Sequence, residues 1–211
     1  GVLRPFLGDH SLLLIDGQRH LSQRRLLLPP FRGDRMRAYG STMESLTEKH
    51  LATWRTGVVE PLQPKTQALT LDIILRTVFG VDEGPEEDRL RVLLEEGARI
   101  IDNPLYVVRW AQRDLGPKSA WGRYLRAREA TLQLLHELIE RRRQEDRSER
   151  ADILSMLLDA RHEDGTPMSE EEICHQLVTL LIAGHETTAT ALSWAVHRLT
   201  LHPEICGRVQ Q

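Results

Sequence analysis

An all-α fold is the class that this sequence predicts, and three observations predict it. Apolar residues recur every three or four positions in long segments, most clearly in residues 120–143, where Leu and Ile keep one face and Arg and Glu fill the other. Ser169 precedes three glutamates, and Glu172 completes a capping-box pattern that opens a second long helix. No segment shows strand-like alternation of useful length, and no repeat period stands out. We therefore expect packed helices without a sheet.

Composition limits the classes of protein that the chain can form. The 211 residues include 28 basic and 31 acidic side chains, with a formal net charge of −3, and 40% are hydrophobic. This is enough chain for one domain with a real core, and the near-neutral charge predicts no nucleic-acid partner. Cys174 and Cys206 lack CxxC spacing, which fits a reducing compartment without disulfides. The longest apolar run, residues 180–183, is far too short to span a membrane.

Prolines and glycines mark the helix ends in the first half of the chain. Residues 1–14 are predicted to be irregular, because a proline and a glycine interrupt them. Asp16 can cap the next helix, which a Pro-Pro pair ends. Gly80 ends a later helix, and Pro85 with three following acids opens another. The predicted helices are residues 17–28, 32–54, 66–79 and 85–102, with a connection at 58–64.

Two long helices dominate the second half. Residues 104–119 are predicted to be irregular and lead into the amphipathic helix 120–143. Acidic residues surround the arginine run at 141–143, so we expect a solvated helix end there. A short helix at 151–162 precedes the long central helix, which Ser169 caps. Leu-His-Pro at 201–203 breaks that helix before a last helical start.

The central helix carries residues that weaken a helix. Glu186 and Thr187 follow the small pair Ala183 and Gly184 inside an otherwise apolar stretch, residues 177–194. Mid-helix glycine costs about 1 kcal/mol relative to alanine, and threonine is a weak helix former. At about 100° per residue the small residues and Thr187 share one side, where a flat, bulky group could reach the backbone. The threonine hydroxyl can also bond the carbonyl four residues back.

A basic pair lies on the helix predicted at residues 17–28. His20 and Arg24 are four positions apart and therefore share a face. One interpretation is an ordinary exposed helix face. The other is an anion site, because an imidazole and a guanidinium in line suit two carboxylates.

The stretch AGHETT, residues 183–188, resembles the oxygen-binding motif of the central helix of cytochrome P450 monooxygenases. In that family the small pair lies over the haem, and the acid and first threonine pass protons to dioxygen. The resemblance implies that Ala183, Gly184 and Thr187 contact the cofactor, and that Glu186 and Thr187 are catalytic. A Thr187 side chain that pointed into bulk water, or a His20–Arg24 pair aimed away from the side of the helix that bears Thr187, would overturn this assignment.

Residues 16–31, DGQRHLSQRRLLLPPF, look like the third helix of the same family, whose aromatic-x-x-x-Arg pattern binds the haem propionates. Histidine often stands at the aromatic position in bacterial-like members. His20 and Arg24 occupy the two positions, so the resemblance implies that they bind the cofactor. Both motifs occur in the family's order with helical segments between them. The chain is identified as a bacterial-like member of this family.

The resemblance implies a fold and an activity. The all-α chain would be the central part of the family's fold, from its third helix to the start of the helix after the central one. Residues 1–211 would thus be a single incomplete domain. The full-length enzyme would use haem (iron protoporphyrin IX), dioxygen and an electron-transfer partner, a ferredoxin or a flavoprotein reductase, to oxidise a small organic substrate. A cytoplasmic location is expected, with an N-terminal membrane anchor left open.

Two parts of the family's pattern do not appear in the sequence. The family holds its iron by a cysteine thiolate in a Phe-x-x-Gly loop, preceded by a Glu-x-x-Arg pair, and neither follows Thr200. Cys206 lacks the surrounding Phe and Gly, and Cys174 lies at the start of the central helix. We assign neither as the iron ligand and predict no metal ligand. Matches to Glu-x-x-Arg begin at Glu86, Glu96 and Glu140, before the central helix and therefore in the wrong order.

His185 does not replace the thiolate, because it lies about 160° around the helix from Thr187. It begins an HExx pattern, but Ala189 occupies the second histidine position of a zinc motif. Two functions remain open from the sequence. The chain is either part of a haem-dependent monooxygenase, inactive alone without the cysteine ligand, or a non-catalytic helical remnant or partner-binding pseudoenzyme.

Overall fold

The computed structural model describes residues 3–101, 112–116 and 118–209, with side chains for all of these except residues 95–101. These ranges contain α-helices and no β-strand, and a lone antiparallel bridge joins Arg161 and Pro167. The prediction of an all-α fold is confirmed. The helices are α1 (Arg4–Leu7), α2 (Gly17–Leu27), α3 (Asp34–Leu51), α4 (Leu62–Thr77), α5 (Pro85–Ile101), α6 (Ala120–Gln144), α7 (Ile153–Asp159), α8 (Glu170–Leu201) and α9 (Pro203–Val209).

The predicted and observed helices correspond, but several boundaries differ. α3 ends at Leu51 rather than at residue 54, and α7 spans Ile153–Asp159 rather than 151–162. α1 was predicted as irregular chain, but its proline stands at the first turn, where the missing N–H is not needed. α4 begins four residues earlier than predicted for the same reason, because Pro64 lies in its first turn. Asp16 stands at the N-cap of α2, although its side chain accepts no hydrogen bond there. Of the predicted irregular segment 104–119, residues 104–111 and 117 lie outside the described residues, as does residue 102 at the predicted end of α5.

The long helix α8 begins with the predicted capping box. Ser169 Oγ accepts a hydrogen bond from the Glu172 N–H at 3.2 Å, and a Glu172 carboxylate oxygen accepts one from the Ser169 N–H at 2.8 Å. Two of the otherwise unpaired N–H groups at this helix start are thereby satisfied. Among the described helices, none combines the length and apolar character needed to cross a membrane.

The core lies where α4 packs against α8 and where α5 packs against α6. Its side chains are apolar and come from seven of the helices, α2 to α8, and the turns between them. Each large apolar side chain contributes about 1.5–3 kcal/mol by leaving water. The most deeply buried are Leu75, Phe79, Leu90, Leu135, Leu138, Ile139, Ile153, Leu154, Leu157, Ile173 and Leu177. This core holds α8 from its first turn to its middle.

The arginine run at the end of α6 corrects one prediction. Arg141 and Arg143 are exposed and pair with nearby acids, as expected for a solvated helix end. Arg142 is only 1% exposed. It donates hydrogen bonds to Asp152 at 2.7 Å and to the Gly80 carbonyl at 2.9 Å. Consecutive residues of a helix point about 100° apart, so the three arginines face three different directions. Arg142 faces Asp152, which lies just before α7, and is buried there.

Candidate functional site

Thr187 and Ala183 lie one turn apart on an exposed side of α8. Thr187 Oγ1 donates a hydrogen bond to the Ala183 carbonyl at 2.5 Å, which confirms the predicted back-bond. Both residues, and Ala191 one turn further on, are exposed. We call the surface formed by Ala183, Thr187 and Ala191 the open face of α8. In the 211 residues alone Thr187 therefore meets solvent, which is one of the outcomes stated above to overturn its assignment. A role beside a cofactor requires a group or chain segment that covers this face.

Gly184 lies at the edge of the open face, on the side nearer α4. A Cβ atom added to it would lie 3.3 Å from Ile74 Cδ1, a contact tighter than most. Ile74 is on α4, so the missing side chain of Gly184 lets α4 approach α8 closely. The sequence grouped Gly184 with Ala183 and Thr187 on one side of the helix. The structure adds a role in helix packing to that position, and the contact of Gly184 with a cofactor stays a prediction.

Glu186 also faces α4. Gln67 Nε2 donates a hydrogen bond to Glu186 Oε1, while Glu186 Oε2 is buried and has no hydrogen-bond partner among the described residues. No hydrogen bond joins Glu186 to Thr187, whose hydroxyl is bound to the helix backbone. The two residues predicted as catalytic therefore adjoin in sequence but lie on different faces of α8.

His185 points away from the open face, as its helical position predicted. Its Nδ1 atom lies 2.9 Å from Thr70 Oγ1 on α4. The side chain thus belongs to the α4 contact. It has no access to the open face of α8, which supports the prediction that His185 is not an iron ligand.

His20 and Arg24 lie on α2, which contacts the start of α8. The contact is a hydrogen bond of 2.6 Å that Gln23 Nε2 donates to Glu172 Oε1. Thr187 lies fifteen residues beyond Glu172, which is roughly 22 Å further along α8 at 1.5 Å per residue. His20 is half-buried and Arg24 is exposed. Within the described residues neither side chain forms an ion pair or a hydrogen bond, so the imidazole and the guanidinium are both available to a ligand. The structure does not bring this pair into contact with the open face of α8.

A cavity of about 610 Å³ lies on the side of α8 that carries Glu186. Its walls are mostly apolar and come from α1, α4, α5, α6 and α8. Polar groups enter it at a few points, including Gln67, Arg128, His175, His185 and Glu186. Ala183 and Thr187 do not line it. Neither this cavity nor the role of Gln67 was predicted from the sequence. Residues more than a hundred positions apart form the walls, and no local sequence pattern indicates that they lie close together.

Cys174 does not have the character of a metal-bound thiolate. It is buried in the main core, and burial raises the pKa of its thiol to about 12. A thiol that stays protonated at neutral pH is a poor metal ligand. Cys206 is free and half-buried on α9. The burial of Cys174 supports the prediction that this residue is not an iron ligand, and for Cys206 it stays a prediction.

Comparisons with known proteins match nearly the whole chain. The sequence model of the family Cytochrome P450 matches residues 4–211. Putative cytochrome P450 135B1 of Mycobacterium tuberculosis (strain ATCC 25618 / H37Rv) is 38% identical over 212 residues, which cover 100% of this chain and 44% of the relative. Putative cytochrome P450 138 of the same strain is 37% identical over 208 residues, covering 96% and 46%.

Solved structures give the same result. Retinoic acid bound cyanobacterial CYP120A1 has a TM-score of 0.83 and 27% identity, and the match covers 100% of this chain and 46% of that one. The haem domain of cytochrome P450DA has a TM-score of 0.77 and 25% identity, and the match covers 98% of this chain and 44% of that one. The chain thus spans less than half the length of the relatives that it matches.

Proposed function

Because the chain belongs to the cytochrome P450 family, we propose that it forms the central helical part of a haem-dependent monooxygenase. The proposed reaction inserts one oxygen atom of dioxygen into a small organic substrate, with electrons from a ferredoxin or a flavoprotein reductase. Residues 1–211 are then one incomplete domain of that enzyme, working in the cytoplasm. The relatives are more than twice as long as the chain, so activity, substrate and partners of the whole protein all belong to the proposal.

The open face of α8 is the observation that carries this proposal. Ala183 has a side chain small enough for a flat macrocycle to approach the helix backbone. The Thr187 hydroxyl donates its hydrogen bond to the Ala183 carbonyl. The lone pairs of the hydroxyl oxygen therefore stay free to accept a hydrogen bond from a group on the open face. A polar, small-residue surface on an otherwise apolar helix fits a cofactor better than it fits ordinary core packing.

Two places in the described part of the chain carry side chains of the kinds that a haem site uses. Ala183 and Thr187 would lie against one face of the macrocycle. Arg24, whose guanidinium has no partner among the described residues, and His20 would hold the propionates. Bound haem would supply the redox chemistry that side chains lack. Cys174 does not fit as the axial ligand, because its thiol is buried in the core.

Glu186 is the proposed proton carrier of this chain. Its Oε1 atom is held by Gln67, and its buried Oε2 atom is free to take a proton or a water molecule. Thr187 can then pass the proton to the open face once its hydroxyl turns away from the Ala183 carbonyl. Since the two side chains are not bonded to each other, the route needs a bridging water molecule between them.

The test is Thr187→Ala in a haem-loaded protein that contains this chain. The variant should keep its haem content, because the lost hydroxyl bonds only the backbone of its own helix. Product formed per electron pair consumed should fall, and peroxide released should rise. Thr188→Ala is the matched control, since it makes the same change at the neighbouring exposed position. Coupling equal to that of wild type in Thr187→Ala would refute the proposed role.

The alternative of a non-catalytic helical remnant is not favoured by any observation. It predicts that no open reading frame on either side of these residues encodes Glu-x-x-Arg and the cysteine loop. Sequencing the gene on both sides of the chain separates the two functions directly.

A further inference from the structure

A group of three metal-ligating side chains lies far from the open face, at the start of α8. His10 precedes α2, and Glu171 and His175 are one turn apart on α8. One donor atom from each lies within 4.8 Å of the other two. The two imidazole rings are stacked at a centroid distance of 5.6 Å, and His10 Nε2 is 4.0 Å from Glu171 Oε2.

Contacts outside this group hold His10 in place. Gln176 uses both ends of its amide, because Nε2 donates to the His10 carbonyl and Oε1 accepts from the Leu12 N–H at 3.2 Å. Thr179 Oγ1 donates to Ser11 Oγ at 2.8 Å. These bonds fix the register of the segment against α8 without help from the three ligating side chains. The backbone that carries His10 is therefore preorganised, which lowers the entropic cost of binding a ligand, while the His10 side chain can still turn.

Gly8 makes room for the most deeply buried member of the group. A Cβ atom at Gly8 would lie 2.2 Å from His175 Nε2, and the residue has φ = +79°, so only glycine fits here. His175 is 7% exposed. Its Nδ1 atom accepts only a long hydrogen bond, 3.4 Å from the His10 N–H. The lone pair of that nitrogen is thus not committed to a strong partner.

We propose that His10, Glu171 and His175 bind a zinc ion that fastens the segment before α2 to the start of α8. Two imidazole nitrogens and one carboxylate oxygen form a common zinc ligand set, with water in the fourth position. Bonds of about 2.0–2.2 Å place tetrahedral ligands roughly 3.4 Å apart, so the donors must close by about 1 Å. Glu171, with 67% of its side chain exposed, and His10, with 28%, are free to make this movement.

The neighbouring glutamates provide an internal comparison. Glu170 pairs with His136 of α6, and Glu172 lies 3.4 Å from His162 Nε2. Each of these acids faces one histidine, whereas Glu171 faces two. Within the part of the chain that the structure describes, no other group of three such donors comes as close together. The proposal is independent of the monooxygenase function, since none of its residues lies on the open face of α8.

Zinc titration of the untagged 211-residue chain by calorimetry tests the site, with Co²⁺ as a coloured substitute for Zn²⁺. One ion should bind per chain, and Co²⁺ should give the visible absorption of a low-coordinate site. His10→Ala and Glu171→Gln should each weaken zinc binding at least about tenfold, since loss of even an outer partner costs 10–100-fold. His136→Ala is the matched control, because it breaks a histidine–glutamate pair one residue away, and it should bind zinc like wild type.

Thermal unfolding with and without zinc provides the second measurement. At one zinc concentration, zinc should raise the Tm of wild type and of His136→Ala by the same amount and that of Glu171→Gln by clearly less, because the stabilisation grows with the ratio of zinc concentration to Kd. Circular dichroism without metal verifies that the variants are folded, and His10→Gln replaces His10→Ala if the latter is not. The proposal is overturned if no saturable binding occurs, if the His10 and Glu171 variants bind like wild type, or if His136→Ala loses as much affinity as they do.

Discussion

Replacing Arg142 by alanine should destabilise the chain more than any other change in the arginine run at residues 141–143. The Arg142 guanidinium is buried and donates hydrogen bonds to Asp152, to Ser155 at 2.9 Å and to the Gly80 carbonyl. Arg142→Ala removes all of these and leaves the Asp152 carboxylate, 5% exposed, without its buried counter-ion. The two flanking arginines have the same chemistry on exposed faces, so they provide controls at adjacent positions.

The expected loss follows from this burial. Breaking a buried ion pair by removing one partner costs about 3–5 kcal/mol, because the remaining charge stays in a region of low dielectric constant. An exposed pair such as Arg141 with Glu86 contributes only about 0.2–1 kcal/mol. Total stabilities of small domains are about 5–15 kcal/mol. Arg142→Ala should therefore remove about a fifth or more of the free energy of unfolding, and Arg141→Ala much less.

Urea unfolding followed by circular dichroism measures these differences. The midpoint for Arg142→Ala should fall well below wild type, and the midpoints for Arg141→Ala and Arg143→Ala should stay near it. Asp152→Asn tests the same pair from the other side and should also be destabilising. If Arg142→Ala loses no more than about 1 kcal/mol, as an exposed pair would, then the residue is not buried in the folded chain and our account of this region is wrong.

Two further predictions concern titratable groups. Burial opposes ionisation of Glu172, but the hydrogen bonds from Ser169 and the charge of His162 outweigh it and lower the pKa of that carboxyl. Since the folded pKa lies below the unfolded value, the stabilisation is complete above the unfolded pKa and is lost as the pH falls through the folded one. The free energy of unfolding should therefore fall less between neutral pH and pH 3 in Glu172→Gln than in wild type, and equal slopes would contradict this. The second prediction is that a thiol reagent at pH 8 labels Cys206 in the native chain but not Cys174, whose thiol is buried and has a pKa of about 12. Native Cys206→Ser should remain unlabelled until it is unfolded, and rapid labelling of that variant would show that Cys174 is accessible.

The sequence was most informative where neighbouring residues decide the structure. The capping box at Ser169 and Glu172 was predicted correctly, because both partners lie within one helical turn. The bond from Thr187 to the Ala183 carbonyl was predicted for the same reason. The direction of His185, away from Thr187, follows from helical geometry alone. The family resemblance rested on two such local motifs, and the comparisons confirm it.

Contacts between residues far apart in the sequence could not be predicted from local patterns. Gly184 packs against α4, Glu186 is held by Gln67, and Arg142 is buried beside Asp152, although nothing in their immediate neighbours indicates it. Each outcome depends on which helix packs against which, and many weak apolar contacts decide that together. The three-ligand group of His10, Glu171 and His175 is the clearest case, since its members are up to 165 residues apart.

The sequence by itself determined which of the longer segments are helices, where most of those helices begin, and in which direction successive side chains point around each helix. These properties depend on hydrogen bonds and steric limits that act within one or two turns. The tertiary structure alone decided which of those faces is buried, which is open and which charged groups meet. A helix face acquires its environment only when another part of the chain packs against it, and that choice minimises the free energy of the whole fold.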